Sequence, residues 1–65
     1  MLSEFDLIKQ YYLRVVSVRD GSPAARAGLR TGDFIRVIGD KATRNMTAIE
    51  GARMLRAQIL KKMNR

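Results

Sequence analysis

The 65-residue chain predicts a small α+β domain. Strands fall at about residues 3–8, 11–18 and 34–38, forming an antiparallel sheet. A short helix follows at about 23–27 and a long C-terminal helix at about 48–63. Three observations carry this. Runs rich in Tyr, Val, Leu and Ile, residues that suit a pleated surface, occupy the strand positions. The stretch from Gly21 to Ile35 is dense in caps and turns. A helix-start signal at Thr47 precedes sixteen residues of helical periodicity.

Taken in order, residues 2–8 partly alternate polar and apolar, as a half-buried strand does, with Leu7-Ile8 breaking the alternation. Lys9-Gln10 is the expected turn into the next strand, although it lacks the Gly, Asn or Asp that mark tight hairpins. Tyr11 to Val18 is the strongest strand. Tyr11, Leu13 and Val15 fall on one face and Tyr12, Val16 and Val18 on the other. Such two-sided apolarity belongs to a strand that is central or edged by a partner.

Asp20-Gly21 ends that run. Ser22 is an N-cap, its oxygen placed to accept from a free first-turn N–H. Pro23 suits the first helical position, where no N–H is required. Gly28 stands where a left-handed C-terminal cap belongs. Gly32-Asp33 makes a second turn, Phe34 to Ile38 a short strand, Gly39-Asp40 a third turn, and Lys41 to Asn45 a short extended piece or loop.

Thr47-Ala48-Ile49-Glu50 has the spacing of a capping box, with Thr47 accepting from Glu50 N–H and Glu50 reaching back. In the helix beyond it, Ala48, Ala52, Leu55, Ile59 and Met63 fall on one stripe, with Ile49 and Leu60 beside them. Arg56 lies inside that stripe and must extend its charge outward along an apolar stem. Gly51 costs about 1 kcal/mol against Ala in a helix interior, so a close neighbour is one reason for it. The small residues Ala48, Gly51 and Ala52 have two readings: room for the side chains of a bound peptide, or close seating of the helix on the sheet.

Composition excludes much. The chain has no Cys and no His, which removes disulfides, thiolate metal sites and the commonest general base. The six carboxylates are scattered, and turns or capping use most of them. No G-x-S-x-G elbow, S-x-x-K pair or phosphate-binding loop occurs. No catalytic residue, metal site or cofactor is expected, and the chain is not read as an enzyme. No apolar run approaches the roughly 20 residues of a membrane span, and no secretory signal pattern is visible. Thirteen Lys and Arg against six Asp and Glu give a net charge of +7. Arg53, Arg56, Lys61, Lys62 and Arg65, with no acid among residues 51–65, supply +5 of it. That segment is a candidate for nucleic acid or an anionic membrane. Against it stand the absence of aromatics interleaved with the basic residues and the ordinary preference of cations for helix C-termini. A sheet edge beside a helix is better suited to accept an extended peptide as an added strand.

The run Val15-Val16-Ser17-Val18-Arg19-Asp20-Gly21-Ser22-Pro23-Ala24-Ala25-Arg26-Ala27-Gly28-Leu29, followed by Gly32-Asp33-Phe34-Ile35, resembles the signature segment of PDZ domains. It is most similar to those of the carboxyl-terminal processing proteases, the S41 serine peptidases. Ile38-Gly39-Asp40-Lys41-Ala42-Thr43 resembles the strand and turn that follow, and Met46 to Arg56 the groove helix. The resemblance covers about residues 11–56. It implies a PDZ-like sheet capped by helices, and binding of extended or C-terminal peptides between a strand and the long helix. It places Leu2, Ser3, Phe5, Asp6, Leu7 and Ile8 on the strand side and Ala48, Ala52 and Leu55 on the helix side, with Leu55 lining an apolar pocket. In the family a Gly-containing loop captures the peptide carboxylate. Here Leu2-Ser3-Glu4-Phe5 holds that place without glycine and with the negative charge of Glu4.

The chain departs from the family at both ends. The first strand has no counterpart. After Leu55-Arg56 the helix continues through Met63 where relatives break it and add a final strand. The expectation is therefore a single partial domain over residues 1–65, incomplete at both ends, with open strand edges. The stripe Leu55, Ile59, Leu60 and Met63, with no partner in so short a chain, is expected to drive homo-oligomerisation or exchange of an element. The alternative to a peptide-binding module is thus a self-associating structural or engineered fragment that retains no binding. The peptidase Ser and Lys belong to another domain of the resembled proteases. Those proteases work outside the cytoplasm, and this chain carries no targeting segment to say where it works.

Overall fold

The structure, a computed structural model, describes residues 4–63, with side chains to Lys61. Strand β1, Phe5–Gln10, pairs antiparallel with β2, Tyr12–Val18, and β2 pairs antiparallel with β3, Phe34–Ile35. The order β1-β2-β3 leaves β1 as an edge of this sheet. Helix α1, Pro23–Arg26, lies between β2 and β3 in the chain. A small hairpin of β4, Val37–Ile38, and β5, Lys41–Ala42, is followed by one 3-10 turn, Thr43–Asn45, and then helix α2, Ala48–Met63.

The β1–β2 turn differs from the expected Lys9-Gln10. Both residues stay in the ladder, opposite Leu13 and Tyr12, and Tyr11 alone makes the reversal with φ of 69°. Lys9 has a reason to remain in the strand. Its ammonium donates to the backbone oxygens of Thr43 and Arg44, each at 2.6 Å, and so ties β1 to the 3-10 turn.

The face assignment of β2 also changes. Asp6 faces Ser17 while Leu7 faces Val15, so Val16 is an extra residue in a β-bulge. A bulge shifts side-chain parity by one. Leu13 and Val15 point into the core before it, and Val18 returns to the core after it, packed against Phe5, Ala24 and Ile59. Val16 and Ser17 are left outside. The strand is therefore buried on one face only, with a break in register. The expected continuous strand 34–38 is broken at Arg36 in the same way. Arg36 O accepts from Thr43 N–H at 2.9 Å, and Thr43, fully buried, donates its hydroxyl to Ile35 O. The kink thus leaves neither carbonyl without a partner.

Core side chains form two clusters. Phe5, Ala24 and Ile59 make one, joined by Leu7, Val18, Leu29, Ala52 and Leu55. Leu13, Ile38 and Met46 make the other, joined by Ile35, Ala48, Met54 and again Leu7 and Leu55. Leu7 and Leu55 belong to both, so they mark the seam where β1 and α2 meet.

Candidate functional site

Helix α1 is built from its ends. Ser22 Oγ accepts from Ala25 N–H at 3.2 Å, and Glu4 Oε1 reaches across from the start of β1 to accept from Ala24 N–H at 3.1 Å. Glu4 also accepts at its backbone oxygen from Arg19 N–H, at 2.7 Å. At the other end Gly28, at φ of 100°, donates to Ala25 O and Leu29 donates to Ala24 O, the paired bonds of a Schellman cap. Leu29, the apolar residue such a cap favours just beyond the glycine, packs into the cluster that holds Ala24. The sequence reading of Ser22, Pro23 and Gly28 holds in each case. The role of Glu4 was not visible, since its partner lies twenty residues on.

Helix α2 opens with Thr47 Oγ1 accepting from Glu50 N–H at 3.0 Å. It then crosses the inner face of the sheet with Gly51 against Leu13. A Cβ at Gly51 would overlap Leu13 Cδ1 and lie 3.5 Å from Leu13 Cγ. Close seating is therefore the role of this glycine. Ala48 and Ala52 flank it, each partly buried and each packed on one of the core clusters. The buried stripe is accordingly centred on Gly51. It takes in Met54, and it leaves Ile49 and Leu60 outside, 75% and 62% exposed.

The candidate groove residues separate into groups. Leu2 and Ser3 lie outside the described residues. Phe5 is a core residue, 3% exposed, so it supports the wall of a groove from behind and does not line it. The Arg56 guanidinium lies 5.8 Å from the Phe5 ring centre, covering the ring while the charge stays in solvent. Leu7 and Leu55 sit together at the seam, partly buried, with Ala48 and Ala52 along the same helix face. Asp6 and Ile8 point to the opposite face of β1, exposed, and the Asp6 carboxylate accepts from the Ser17 hydroxyl at 2.9 Å. Strand alternation separates Asp6 and Ile8 from the helix.

Of the residues expected to drive self-association, Ile59 is corrected. It is 5% exposed and packs on Phe5 and Ala24, so it does have a partner within the chain. Leu55 is partly buried, Leu60 is exposed, and the Met63 side chain lies outside those described.

A cleft of about 450 Å³ opens between the α1 cap and the second half of α2. Ala27, Gly28, Leu29, Leu55, Ile59 and Gln58 line it, with Lys61 beside them. Its volume is within the range of ligand pockets, and its mostly apolar wall with few polar groups is their usual chemistry. Leu55 is part of this wall, on the α1 side of α2, and among the described residues none of β1 lines the cleft. Leu29 and Ile59 were missed as pocket residues. The signal available was the apolar residue after the Schellman glycine, which must pack on the nearest helix.

No curated protein and no solved structure matches the chain. A family model described as PDZ domain matches residues 14–60, which run from within β2 through α1 and the small hairpin to within α2, and leave β1 outside. An edge strand beside a long helix, a capped short helix and this match together make the chain a member of the PDZ domain family, whose members are peptide-binding, protein-interaction modules without catalytic chemistry of their own.

Proposed function

We propose that this domain binds an extended peptide with a free, apolar C-terminal residue. The peptide adds as a strand along β1, and its last side chain enters the cleft walled by Leu29, Leu55 and Ile59. The observation that carries this reading is the placement of an apolar cleft beside the seam of α2 with β1, an edge strand of its sheet. Main-chain bonds to such an edge supply affinity, and the pocket supplies selectivity. Lys61 at the cleft and Arg56 over Phe5 supply positive charge for the carboxylate. The Glu4 carboxylate is directed at Ala24 N–H of α1. The resemblance of Val15 to Ile35 to the carboxyl-terminal processing proteases makes the C-termini of proteins destined for proteolysis the preferred ligands. A second copy of the chain is the competing occupant of the β1 edge.

Amide chemical-shift titration with peptides ending in Ala, Val or Leu tests this. Shifts are expected at Phe5 to Ile8 and at Ala48 to Ile59, and amidation of the peptide C-terminus weakens binding. Lys61→Glu, at a solvated position, lowers affinity for the free carboxylate about two- to fivefold, the scale of an exposed ion pair, with less effect on the amide. A broad set of C-terminal peptides that moves none of these resonances overturns the reading. Sedimentation showing dimers that dissociate with those same shifts assigns the edge to self-association instead.

A further inference from the structure

We propose that the outer face of the sheet, opposite the face covered by α2, binds single-stranded nucleic acid. The sequence offers no run in which aromatics and basic residues alternate. The fold assembles one from four separate places. Arg14 of β2 stands opposite Phe34 of β3, and its guanidinium lies 5.4 Å from the Phe34 ring centre. Arg36, beyond β3, lies 5.4 Å from the ring of Tyr12. Tyr12 meets Tyr11 edge to face at 4.8 Å between centres, and Arg44, from the 3-10 turn, lies 5.4 Å from the Tyr11 ring. Ile8, opposite Arg14, extends the row onto β1.

Two of these rings are offered to solvent. Tyr11 is 63% and Phe34 53% exposed, and Ile8 and Val16 are 41% exposed beside them, while Tyr12 is half-buried. An arginine placed over a ring adds a guanidinium plane and a positive charge beside it. Bases stack on aromatic and guanidinium planes alike, and the same cations reach the phosphates. The charge is complementary: net +7 over the chain, with three arginines on this face. The acid of the same face, Asp6, lies toward its far end, bonded by Ser17. A second copy of the chain, with the same positive charge, is a poorer occupant of this face. Single strands are favoured over duplex because exposed rings need unstacked bases. The site is separate from the peptide cleft, since α2 covers the inner face through Gly51 and Leu13.

The test is fluorescence anisotropy with labelled deoxythymidine and uridine oligonucleotides of about 12 nucleotides, at about 50 mM salt and upward. Binding to single strands is expected, weaker to duplex of equal length, with a log–log salt slope of roughly −2 for three phosphate contacts. Phe34→Ala and Tyr11→Ala, both at exposed positions, each lower affinity about tenfold by loss of one stacking plane. Phe34→Tyr retains it. Replacing Arg14, Arg36 and Arg44 by Gln lowers affinity further and flattens the salt slope. Circular dichroism melts check that the variants are folded. Four outcomes overturn the proposal. One is no binding at about 100 µM, the weak end of non-specific association. A second is equal affinity for duplex with no effect of Phe34→Ala. A third is loss of binding on Arg53→Gln with Lys61→Gln while the sheet-face variants bind normally, which moves the site to α2. The fourth is a dimer that Phe34→Ala dissociates and that excludes the oligonucleotide, which makes the face a contact between copies.

Discussion

The two helices are held by opposite means. Helix α1 has four residues, far below the roughly 12–15 at which an isolated helix is marginal in water. It persists because its ends are satisfied. Ser22 and Glu4 accept from its first N–H groups, and Gly28 and Leu29 donate to its last carbonyls. Helix α2 has sixteen residues and a Thr47 cap, yet its position is decided by packing, where Gly51, in its first turn, meets Leu13. A short helix held at its ends depends mostly on residues near in sequence, with Glu4, twenty positions away, the exception. A long helix seated by packing depends on a residue thirty-eight positions away, and it is this helix that forms one wall of the apolar cleft.

The comparison is broken most severely at Gly51. Gly51→Ala gains about 1 kcal/mol of helix propensity, but its methyl overlaps Leu13, which is fully buried. Overpacking of this kind costs about 1–3 kcal/mol, so a net loss of up to about 2 kcal/mol is expected in urea denaturation. Leu13→Val in the same chain relieves part of the overlap, and the double variant loses less than the sum of the two singles. If Gly51→Ala stabilises the protein, α2 is not seated on Leu13 and the account of the helix fails.

A smaller effect is expected at the ends of α1. Gly28→Ala places a side chain at φ of 100° with open space around it, so only backbone strain is felt, about 1 kcal/mol. Ser22→Ala removes the cap to Ala25 N–H for a similar loss. Because Glu4 still holds Ala24 N–H, Ser22→Ala should lower the melting temperature without melting α1 alone. Loss of α1 amide protection with α2 intact would show that Glu4 contributes nothing to the cap.

What was legible in the sequence follows the same division. Ser22, Pro23, Gly28 and Thr47 act within a few residues of themselves, and each does what its type implies. The turn at Tyr11, the bulge at Val16 and the break at Arg36 were not legible. The first and last are tied from a distance: Lys9 by the carbonyls of Thr43 and Arg44, Arg36 by Thr43 N–H. Of the groove residues that the resemblance implies, Leu55 lines the cleft, whereas Phe5 goes to the core where strand and helix meet. The aromatic–arginine face was not legible at all, since β-pairing alone brings Arg14 to Phe34.

Tyr11 sharpens the comparison with the smallest expected effect on stability. It is the one non-glycine residue at positive φ among those described, and a bulky side chain there costs about 1–2 kcal/mol. Tyr11→Gly removes that strain. It also removes the edge contact with Tyr12 and the Arg44 stack, each of the order of 0.5–1 kcal/mol at an exposed site. The two nearly cancel, and Tyr11→Gly should change unfolding free energy by less than about 0.5 kcal/mol. Oligonucleotide affinity, by contrast, should fall about tenfold with the lost ring. Since stability does not choose between tyrosine and glycine here, unchanged stability with lost binding is what a functional tyrosine predicts. A loss of stability greater than about 1 kcal/mol with binding retained would make the ring a strut of the hairpin and remove it from the binding face.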